Sequence, residues 1–442
     1  MINFKKALTL FLSMAVLSAG VACSNTQPSA SAGEKSPTNS GTGGEAVNLK
    51  MTSFRVEDKD TWAKLTEAFT KENPNITVSF EPIKATEYDA QLKLALQSGT
   101  AADIIHSRTY DAGRLLMKSG YLLELNEQNM PGLKEISKNY LDATTTLDGK
   151  VFAVPANTVL LGFLYNKDIF QKYNLSEPKT WDDFFKICDT LKKNGVRPLA
   201  LNYKDGWVNS DYSCQILPSF LGSNAEQWHK DLLAGKVKLS DQAFADHLSL
   251  INRLKDYAGD GFTGIGYSEA EQLFISGQAA IYPGGSFDLS YLQSMNPNLK
   301  IDVFATPNST GSGAAPVATY VAAGFAVNKA SKHQTEALKF ISWLGTQEAA
   351  KIYMQNLYGM PLVQPKNLPV DNAVMKKWIG FEGSDGNNIM LYWEHNRLSS
   401  KTPTASSLTG EAIQKMWAGQ FTPKQASAFI QNGISWYKPS EK

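Results

Sequence analysis

Strand and helix patterns alternate along the first part of this 442-residue chain, and that alternation restricts its fold more than any other feature. Residues 47–54 alternate polar and apolar side chains, as a half-buried strand does, and 76–83 and 102–106 carry further strand patterns. Between them lie two helical patterns, one stopped at Asn73-Pro74 and the other at Ser98-Gly99. Strands separated by helices of about a dozen residues predict crossover units and a largely parallel sheet.

A second region of the same type follows. Residues 159–165 form a continuous apolar run, as in a strand that is buried on both faces. Thr180 and Asp183 give a helix start that resembles a capping box, with Asp in place of Glu. Residues 214–257 are helical in pattern, and 279–282 form a strand that leads into Pro-Gly-Gly-Ser. Because about 400 residues exceed what one hydrophobic core usually serves, we predict two α/β lobes.

The first 46 residues carry signals for export and anchoring. An apolar run over 7–17 follows two lysines and is too short to span a membrane. Small residues and then Cys23 follow, an arrangement that resembles the bacterial lipoprotein signal, apart from Gly20 where Leu is usual. The resemblance implies a signal peptide over 1–22 and lipidation of Cys23 with fatty acyl groups such as palmitate. Residues 23–46 are rich in Ser, Gly, Thr and Pro and predict a flexible tether.

These signals place the protein at the extracytoplasmic face of a bacterial cell membrane, held there by its lipid anchor. The alternative is an ordinary secreted protein with a chance cysteine. Net charge is +1, from 43 basic and 42 acidic residues, and no long run of like charge is present. The sequence therefore gives no electrostatic reason to expect a nucleic acid partner.

Catalytic, metal and cofactor signals are weak throughout. The scattered histidines lack metal-ligand spacing, so no metal and no cofactor are expected. Residues 259–264 match the dinucleotide pattern GxGxxG, but they follow a helical pattern rather than a strand, which argues against phosphate binding. Cys188 shares a helical face with large apolar side chains and is predicted to be a buried thiol, with a disulfide to Cys214 as the alternative.

Five stretches in order resemble the family 1 extracellular solute-binding proteins of bacterial ABC importers, the class that includes maltose-binding protein. They are 69–78 (FTKENPNITV), 101–104 (AADI, with Ala where Pro is commoner), 164–170 (LYNKDIF), 178–183 (PKTWDD) and 274–281 (FISGQAAI). The resemblance implies two α/β lobes joined by chain crossovers, with a ligand held between them and passed to a membrane permease. It covers essentially the whole chain.

The predicted fold class is thus a two-lobed, periplasmic-binding-protein-like α/β fold with hinge strands between the lobes and a ligand cleft between them. Lobe 1 is predicted to contain residues 47–156 and 284–326, and lobe 2 residues 157–283 and 327–442. In such α/β sheets, ligands bind beyond the carboxyl ends of strands. The predicted hinge strands lie near residues 155–157, 282–284 and 325–328.

Sugars need polar partners for their hydroxyl groups and flat rings for their apolar faces. Five stretches combine rings with polar groups, and the family often carries a Gly-Trp, here Gly206-Trp207, that stacks on sugar. The family's GGSW turn is present with Phe287 in place of Trp. For each stretch the alternative is a surface turn or core packing. The predicted ligand contacts are Phe54, Arg55, Glu57, Ser107, Arg108, Tyr110, Asp111, Asn157, Asn202, Trp207, Gly285, Ser286, Phe287, Asp288, Tyr392, Trp393 and Glu394.

The predicted function is a membrane-anchored, monomeric receptor without catalytic residues, which closes on a sugar or oligosaccharide and delivers it to the subunits of an ABC permease. A secreted glycoside hydrolase is the alternative from another class, and it needs two carboxylates beside the scissile bond. Two further alternatives use the same fold, one for a non-sugar solute and one for sensing.

Overall fold

A computed structural model describes residues 45–309, 317–364, 370–382 and 389–439 of the protein. The predicted signal peptide, nearly all of the tether and the lipidation residue Cys23 lie outside these residues. Within the described ranges, none of the helices combines the length and the apolar character needed to cross a membrane.

The secondary structure follows the predicted alternation of strands and helices. The strands are β1 (Val47–Ser53), β2 (Ile76–Pro82), β3 (Ile104–Ser107), β4 (Val154–Asn166), β5 (Arg197–Leu199), β6 (Ala279–Gly285), β7 (Ile301–Phe304), β8 (Val317–Val327) and β9 (Ile389–Leu391). The helices are α1 (Lys59–Glu72), α2 (Ala85–Ser98), α3 (Tyr110–Lys118), α4 (Lys138–Asp142), α5 (Lys167–Lys172), α6 (Trp181–Lys193), α7 (Gly206–Leu221), α8 (Ala225–Leu233), α9 (Gln242–Leu254), α10 (Tyr267–Ile275), α11 (Ser286–Met295), α12 (Gln334–Leu344), α13 (Gln347–Asn356), α14 (Ala373–Gly380), α15 (Ala405–Trp417) and α16 (Pro423–Gly433).

The strands form one continuous sheet in the order β2-β1-β3-β8-β4-β6-β5, with β7 on β4 and β9 on β8. β1 pairs in parallel with β2 and β3, as the alternation predicts. The sheet as a whole is nevertheless mixed, so the parallel arrangement predicted from the first three strands does not extend to β8 and β4. β8 follows β7, which lies against the carboxyl end of β4, so β8 runs back along β4 and pairs antiparallel with β4 and β3.

Strand β4 belongs to both halves of the sheet, and every one of its 13 residues is buried. Its first half pairs with β8 and its second half with β6 and β7. The register shifts on both sides of Asn157, and bulges of this kind bend a strand. Residues 361–363 reach the same place, where Thr158 N donates to Pro361 O at 2.9 Å and Val363 N to Ala156 O at 2.9 Å.

One of the predicted hinge strands lies elsewhere in the sheet. Residues 282–284 pair with 162–164 inside one half. Phe325 pairs with Val154, next to the irregular part of β4, and residues 325–327 also pair with β3. Only the predicted segment 155–157 coincides with the irregular part of β4.

Hydrophobic packing divides the elements differently from the predicted lobe boundaries. Apolar residues of α12 and α13, including Phe340 and Tyr353, pack with Met51, Trp62 and Phe69 of the first lobe. α11 and β7 pack instead with β6, α10 and α14. Residues 286–304 therefore lie with the second lobe and 334–356 with the first. The chain crosses between the halves in β4, in β8 and near residues 358–363, so the number of crossings is the predicted one but two of the three lie at other positions.

Several local predictions can be compared directly with the structure. Thr180 and Asp183 form the predicted capping box, with Asp183 N bonded to Thr180 Oγ1 at 3.2 Å and Thr180 N to Asp183 Oδ2 at 3.3 Å. Cys188 and Cys214 are free and buried, and burial raises the pKa of both thiols. The GxGxxG stretch lies beyond α9 in a loop with a short 3₁₀ turn, not between a strand and a helix.

Candidate ligand-binding site

Helix α7 carries the central part of the candidate site. Its start is fixed by Asn202, whose Nδ2 donates to Asp205 O at 3.0 Å and to Asn209 Oδ1 at 3.0 Å. Asn202 is thus buried inside the turn. Trp207, which the sequence placed on a loop, is instead the second residue of α7, because these bonds begin the helix at Gly206.

Helix α15 holds the start of α7 by close backbone contact. A β-carbon at Gly410 would lie 2.2 Å from Gly206 O, so only glycine permits this approach. The position of Trp207 is therefore set by packing of backbone on backbone.

A small cavity lies where α7 meets the carboxyl end of β6, α10 and α11. Its volume of about 10 Å³ has room for roughly one water molecule. Pockets that bind small molecules usually measure about 300–1,000 Å³, so the cavity has to widen before a sugar can enter. The lining side chains that can recognise a ligand are Trp207, Asp211, Gln215, Tyr267, Phe287 and Asp288.

Three of these side chains share one face of α7. Trp207, Asp211 and Gln215 follow each other at intervals of four residues, which places them one turn apart on the same side. Their exposed fractions are 48%, 9% and 1%, so the ring lies at the mouth and the carboxamide at the bottom. Asp211 and Gln215 are not among the contacts predicted from the sequence, although the four-residue spacing from Trp207 would have indicated them.

A group of aromatic rings surrounds the mouth of the cavity. The centroid of Trp207 lies 5.0 Å from that of Tyr267 and 6.3 Å from that of Phe287. Trp207 is among the few large apolar side chains that remain well exposed. An exposed ring beside hydrogen-bonding groups is the arrangement that stacks on the apolar face of a sugar.

The turn between β6 and α11 supplies Gly285, Ser286 and Asp288. Asp288 Oδ2 accepts from Gly285 N at 3.2 Å, and the Tyr267 hydroxyl donates to the other carboxylate oxygen. Ser286 Oγ accepts from Leu160 N at 3.1 Å, which ties the turn to β4. Burial raises the pKa of Asp288. The Asp288 carboxylate is thus already hydrogen-bonded to other groups of the chain.

Asp211 differs from Asp288 in having no such partners. Within the described ranges, no group donates a hydrogen bond to its carboxylate, although it is nine-tenths buried. Burial raises its pKa well above the ordinary value, and the nearby Glu394 and Asp288 carboxylates raise it further. The Nε2 atom of Gln215 also lacks a hydrogen-bond partner among the described residues.

The predicted contacts near residue 55 lie on the first lobe, around a paired arginine. Arg55 donates to Asp58 Oδ2 at 2.6 Å and to Asp58 Oδ1 at 3.0 Å. Glu57 Oε1 lies 3.0 Å from Nη1 of the same arginine. Burial lowers the pKa of Arg55, but the Asp58 carboxylate outweighs this and raises it. The Arg108 guanidinium lies 3.8 Å from the centroid of the buried Phe54 ring.

A second group of predicted contacts is held inside the protein. Ser107 is fully buried, and its hydroxyl donates to Arg108 O at 2.8 Å. Tyr110 is also buried and begins α3 with a φ of 52°. These side chains do not line the cavity.

Asp111 belongs to a network that we call the Arg114 cluster, made of Asp111, Arg114, Asn396 and Ser399. Ser399 N donates to Asp111 Oδ2 at 2.9 Å, and Arg114 donates to Asp111 Oδ1 at 3.2 Å and to Asn396 Oδ1 at 2.8 Å. The cluster joins α3 to the loop that precedes α15. The carboxylate of Asp111 therefore fastens two parts of the chain together.

The remaining predicted contacts are buried. Asn157 Nδ2 donates to the Tyr353 hydroxyl at 2.8 Å. Tyr392 and Trp393 pack in the core of the second lobe, as the alternative of core packing described. Glu394 accepts a hydrogen bond from Ser210, and burial raises its pKa to about 7.

The structure thus brings four of the predicted residues, Trp207, Gly285, Phe287 and Asp288, to one cavity and leaves the others away from its walls. Within the described ranges, no group of three or more His, Cys, Asp or Glu side chains is placed to hold a metal ion.

Comparison with known proteins identifies the class to which this fold and cavity belong. Residues 56–351 match the family described as bacterial extracellular solute-binding protein, and the chain belongs to that family. It is 27% identical over 339 residues to a multiple sugar-binding protein of Streptococcus mutans, covering 74% of this chain and 78% of the relative. It is 24% identical to the melibiose/raffinose/stachyose-binding protein MelE of Bacillus subtilis over 308 residues, covering 69% of this chain and 68% of the relative.

The fold is similarly shared with solved binding proteins. A chitin oligosaccharide binding protein superposes with a TM-score of 0.74 at 23% identity, over 89% of this chain and 99% of the other. The α/β architecture is therefore that of a two-lobed extracellular solute-binding protein.

Proposed function

We propose that the protein captures a sugar or oligosaccharide and delivers it to an ABC permease. The observation that carries this proposal is the exposed Trp207 ring, which stands with Tyr267 and Phe287 over a cavity with free hydrogen-bonding groups. Relatives named for multiple sugars and for melibiose, raffinose and stachyose support the same ligand class.

Capture requires the cavity to widen and then close on the ligand. The shifted register of β4 at Asn157, where residues 361–363 also join, supplies a place for the two halves of the sheet to bend. A ligand closes the lobes only if it binds the closed form more tightly than the open one. The rings and polar groups around α7 provide contacts that depend on closure.

We also propose that the protein works as a monomer at the extracytoplasmic face of the membrane, anchored through lipidated Cys23, and that it is not an enzyme. A glycosidase needs two available carboxylates. At this cavity the Asp288 carboxylate is already engaged by Gly285 N and the Tyr267 hydroxyl, which leaves Asp211 alone.

A thermal-shift screen tests the ligand class. The purified protein is melted with raffinose, stachyose, galactose, xylotriose or chitotriose, and in parallel with spermidine, glycerol 3-phosphate and a tripeptide. A ligand that binds only the folded state at a hundred times its Kd adds about 2.7 kcal/mol of stability and raises the melting temperature. A shift with a sugar supports the proposal. A shift with only spermidine, glycerol 3-phosphate or the tripeptide contradicts the carbohydrate class.

A further inference from the structure

The carboxylate of Asp211 is a buried acceptor on the cavity wall. It is nine-tenths buried, it lines the cavity, and no described residue donates a hydrogen bond to it. Burial of a charged or polar group without a partner is costly. A hydrogen bond from a bound ligand would lower this cost.

Gln215 lies one helical turn deeper in the cavity and carries a hydrogen-bond donor without a partner among the described residues. Its side chain is 1% exposed, it lines the same cavity, and no acceptor in the described parts of the chain reaches its Nε2 atom. α7 therefore offers an unoccupied acceptor and an unoccupied donor in succession. Neighbouring hydroxyl groups of a sugar can satisfy both, since each hydroxyl donates one hydrogen bond and accepts others.

The charges around the cavity restrict the chemical class of ligand that it can bind. Asp211 has Asp288 and Glu394 as its main charged neighbours, and both carry the same sign. No Lys, Arg or His is among the described residues that line the cavity. On the facing lobe, Arg55 is near enough to lower the pKa of Asp288, and its guanidinium is paired with Asp58 and Glu57. A phosphate or carboxylate group would find no unpaired cation among the lining residues and would be repelled by each of these carboxyls that is ionised.

We propose that Asp211 and Gln215 select the ligand, with Asp211 accepting from one hydroxyl of an uncharged sugar and Gln215 donating to another, and that phosphorylated or carboxylated sugars are excluded. This assignment rests on the proposed sugar-binding function. It makes α7 a single recognition surface, with the Trp207 ring for the apolar face of the sugar and two polar side chains for its hydroxyl groups.

Titration calorimetry and thermal melting of Asp211→Asn test the assignment. The sugar from the panel above that shifts the parent protein is the probe, and its 6-phosphate ester is the anionic comparison. We expect Asp211→Asn to bind the neutral sugar about 10-fold more weakly, because the sugar hydroxyl loses the carboxyl as its hydrogen-bond partner. We also expect the ligand-free variant to melt at a higher temperature than the parent, because an unpartnered buried carboxyl is gone.

The opposing changes in affinity and melting temperature separate recognition from a structural role, which would lower both. The matched control is Asp256→Asn, which removes the same charge from an exposed position of the second lobe and leaves both quantities unchanged. Equal affinity of Asp211→Asn and the parent for the neutral sugar overturns the inference and leaves the proposed function standing. Tight binding of the 6-phosphate ester to the parent also overturns it. If no sugar binds the parent, the proposed function fails and the inference with it.

Discussion

The cavity face of α7 and the Arg114 cluster both contain buried polar side chains, but they differ in how those groups are paired. Asp111 is 3% exposed and accepts hydrogen bonds from Ser399 N and Arg114. Asp211 is 9% exposed and has no donor among the described residues. A buried carboxylate that the chain itself satisfies holds structure together, whereas one left unsatisfied on a cavity wall is available to a ligand.

The comparison also explains why similar sequence patterns lead to different roles. Tyr110-Asp111 and Trp207 with Asp211 both combine a ring in the first turn of a helix with a carboxylate of the same helix. Tyr110 is buried and Trp207 is half exposed. Only the packing of each helix decides whether its polar groups meet the chain or a cavity.

Arg114→Ala should produce the largest effect, and on stability. Arg114 Nε donates to Thr145 O at 2.9 Å and its guanidinium also bonds Asp142 O, Asp111 and Asn396. Removing it deprives the buried Asp111 carboxylate of its cation. We expect the free energy of unfolding, measured with urea, to fall by about 3 kcal/mol.

The control for this variant is Lys118→Ala, at an exposed position of the same helix, which should change the free energy of unfolding by no more than about 0.5 kcal/mol. A loss of stability in Arg114→Ala no greater than in the control would show that the cluster is not structural.

Trp207→Ala should have the next largest effect, and on affinity. The ring is 48% exposed, so its loss removes little packing. We expect sugar binding to weaken by about 2 kcal/mol, as for a central aromatic contact, with unfolding free energy nearly unchanged. Calorimetry and urea unfolding measure the two quantities. Tyr291→Ala, which removes another exposed ring from the second lobe, is the matched control. Parent-like affinity in Trp207→Ala would place the ligand elsewhere.

Local sequence patterns predicted much of the fold. The strand and helix alternation, the capping box at Thr180 and the buried run of β4 are properties of short segments. The mixed sheet and the packing of α12 and α13 on the first lobe depend on where the chain returns after a crossover, which no local pattern encodes.

The candidate site was predictable to a smaller extent. Trp207, Phe287 and Asp288 reach the cavity because they lie just beyond the carboxyl ends of strands, as the general rule for α/β sheets expects. Asp211 and Gln215 lie inside a helix whose residues are nearly all buried, so their sequence neighbours resemble core positions. Tyr392 and Trp393 show the converse, since rings beside polar groups can equally fill a core.

The smallest expected effect concerns Glu394. Its carboxyl is hydrogen-bonded within the chain, as that of Asp111 is, but it is close to the unpaired carboxyl of Asp211. It is fully buried with hydroxyl partners on α7 and α15, and the carboxyl of Asp211 and the thiol of Cys214 are its titratable neighbours. Burial raises its pKa from 4.5 to about 7, so the folded state favours the protonated form. The stability that this group contributes is therefore present at low pH and lost as pH rises through 7.

Glu394→Gln keeps the shape and removes this titration. For the parent, the Glu394 contribution to the free energy of unfolding should fall by about 1 kcal/mol between pH 6 and pH 8. Asp211 also has a raised pKa and changes stability in the same direction, so the difference between parent and variant isolates Glu394. Urea unfolding at both pH values measures it. If the parent loses no more stability than the variant over this range, Glu394 is ionised in the folded protein. Its hydrogen-bonded carboxylate would then resemble that of Asp111 more than the unpaired carboxyl of Asp211.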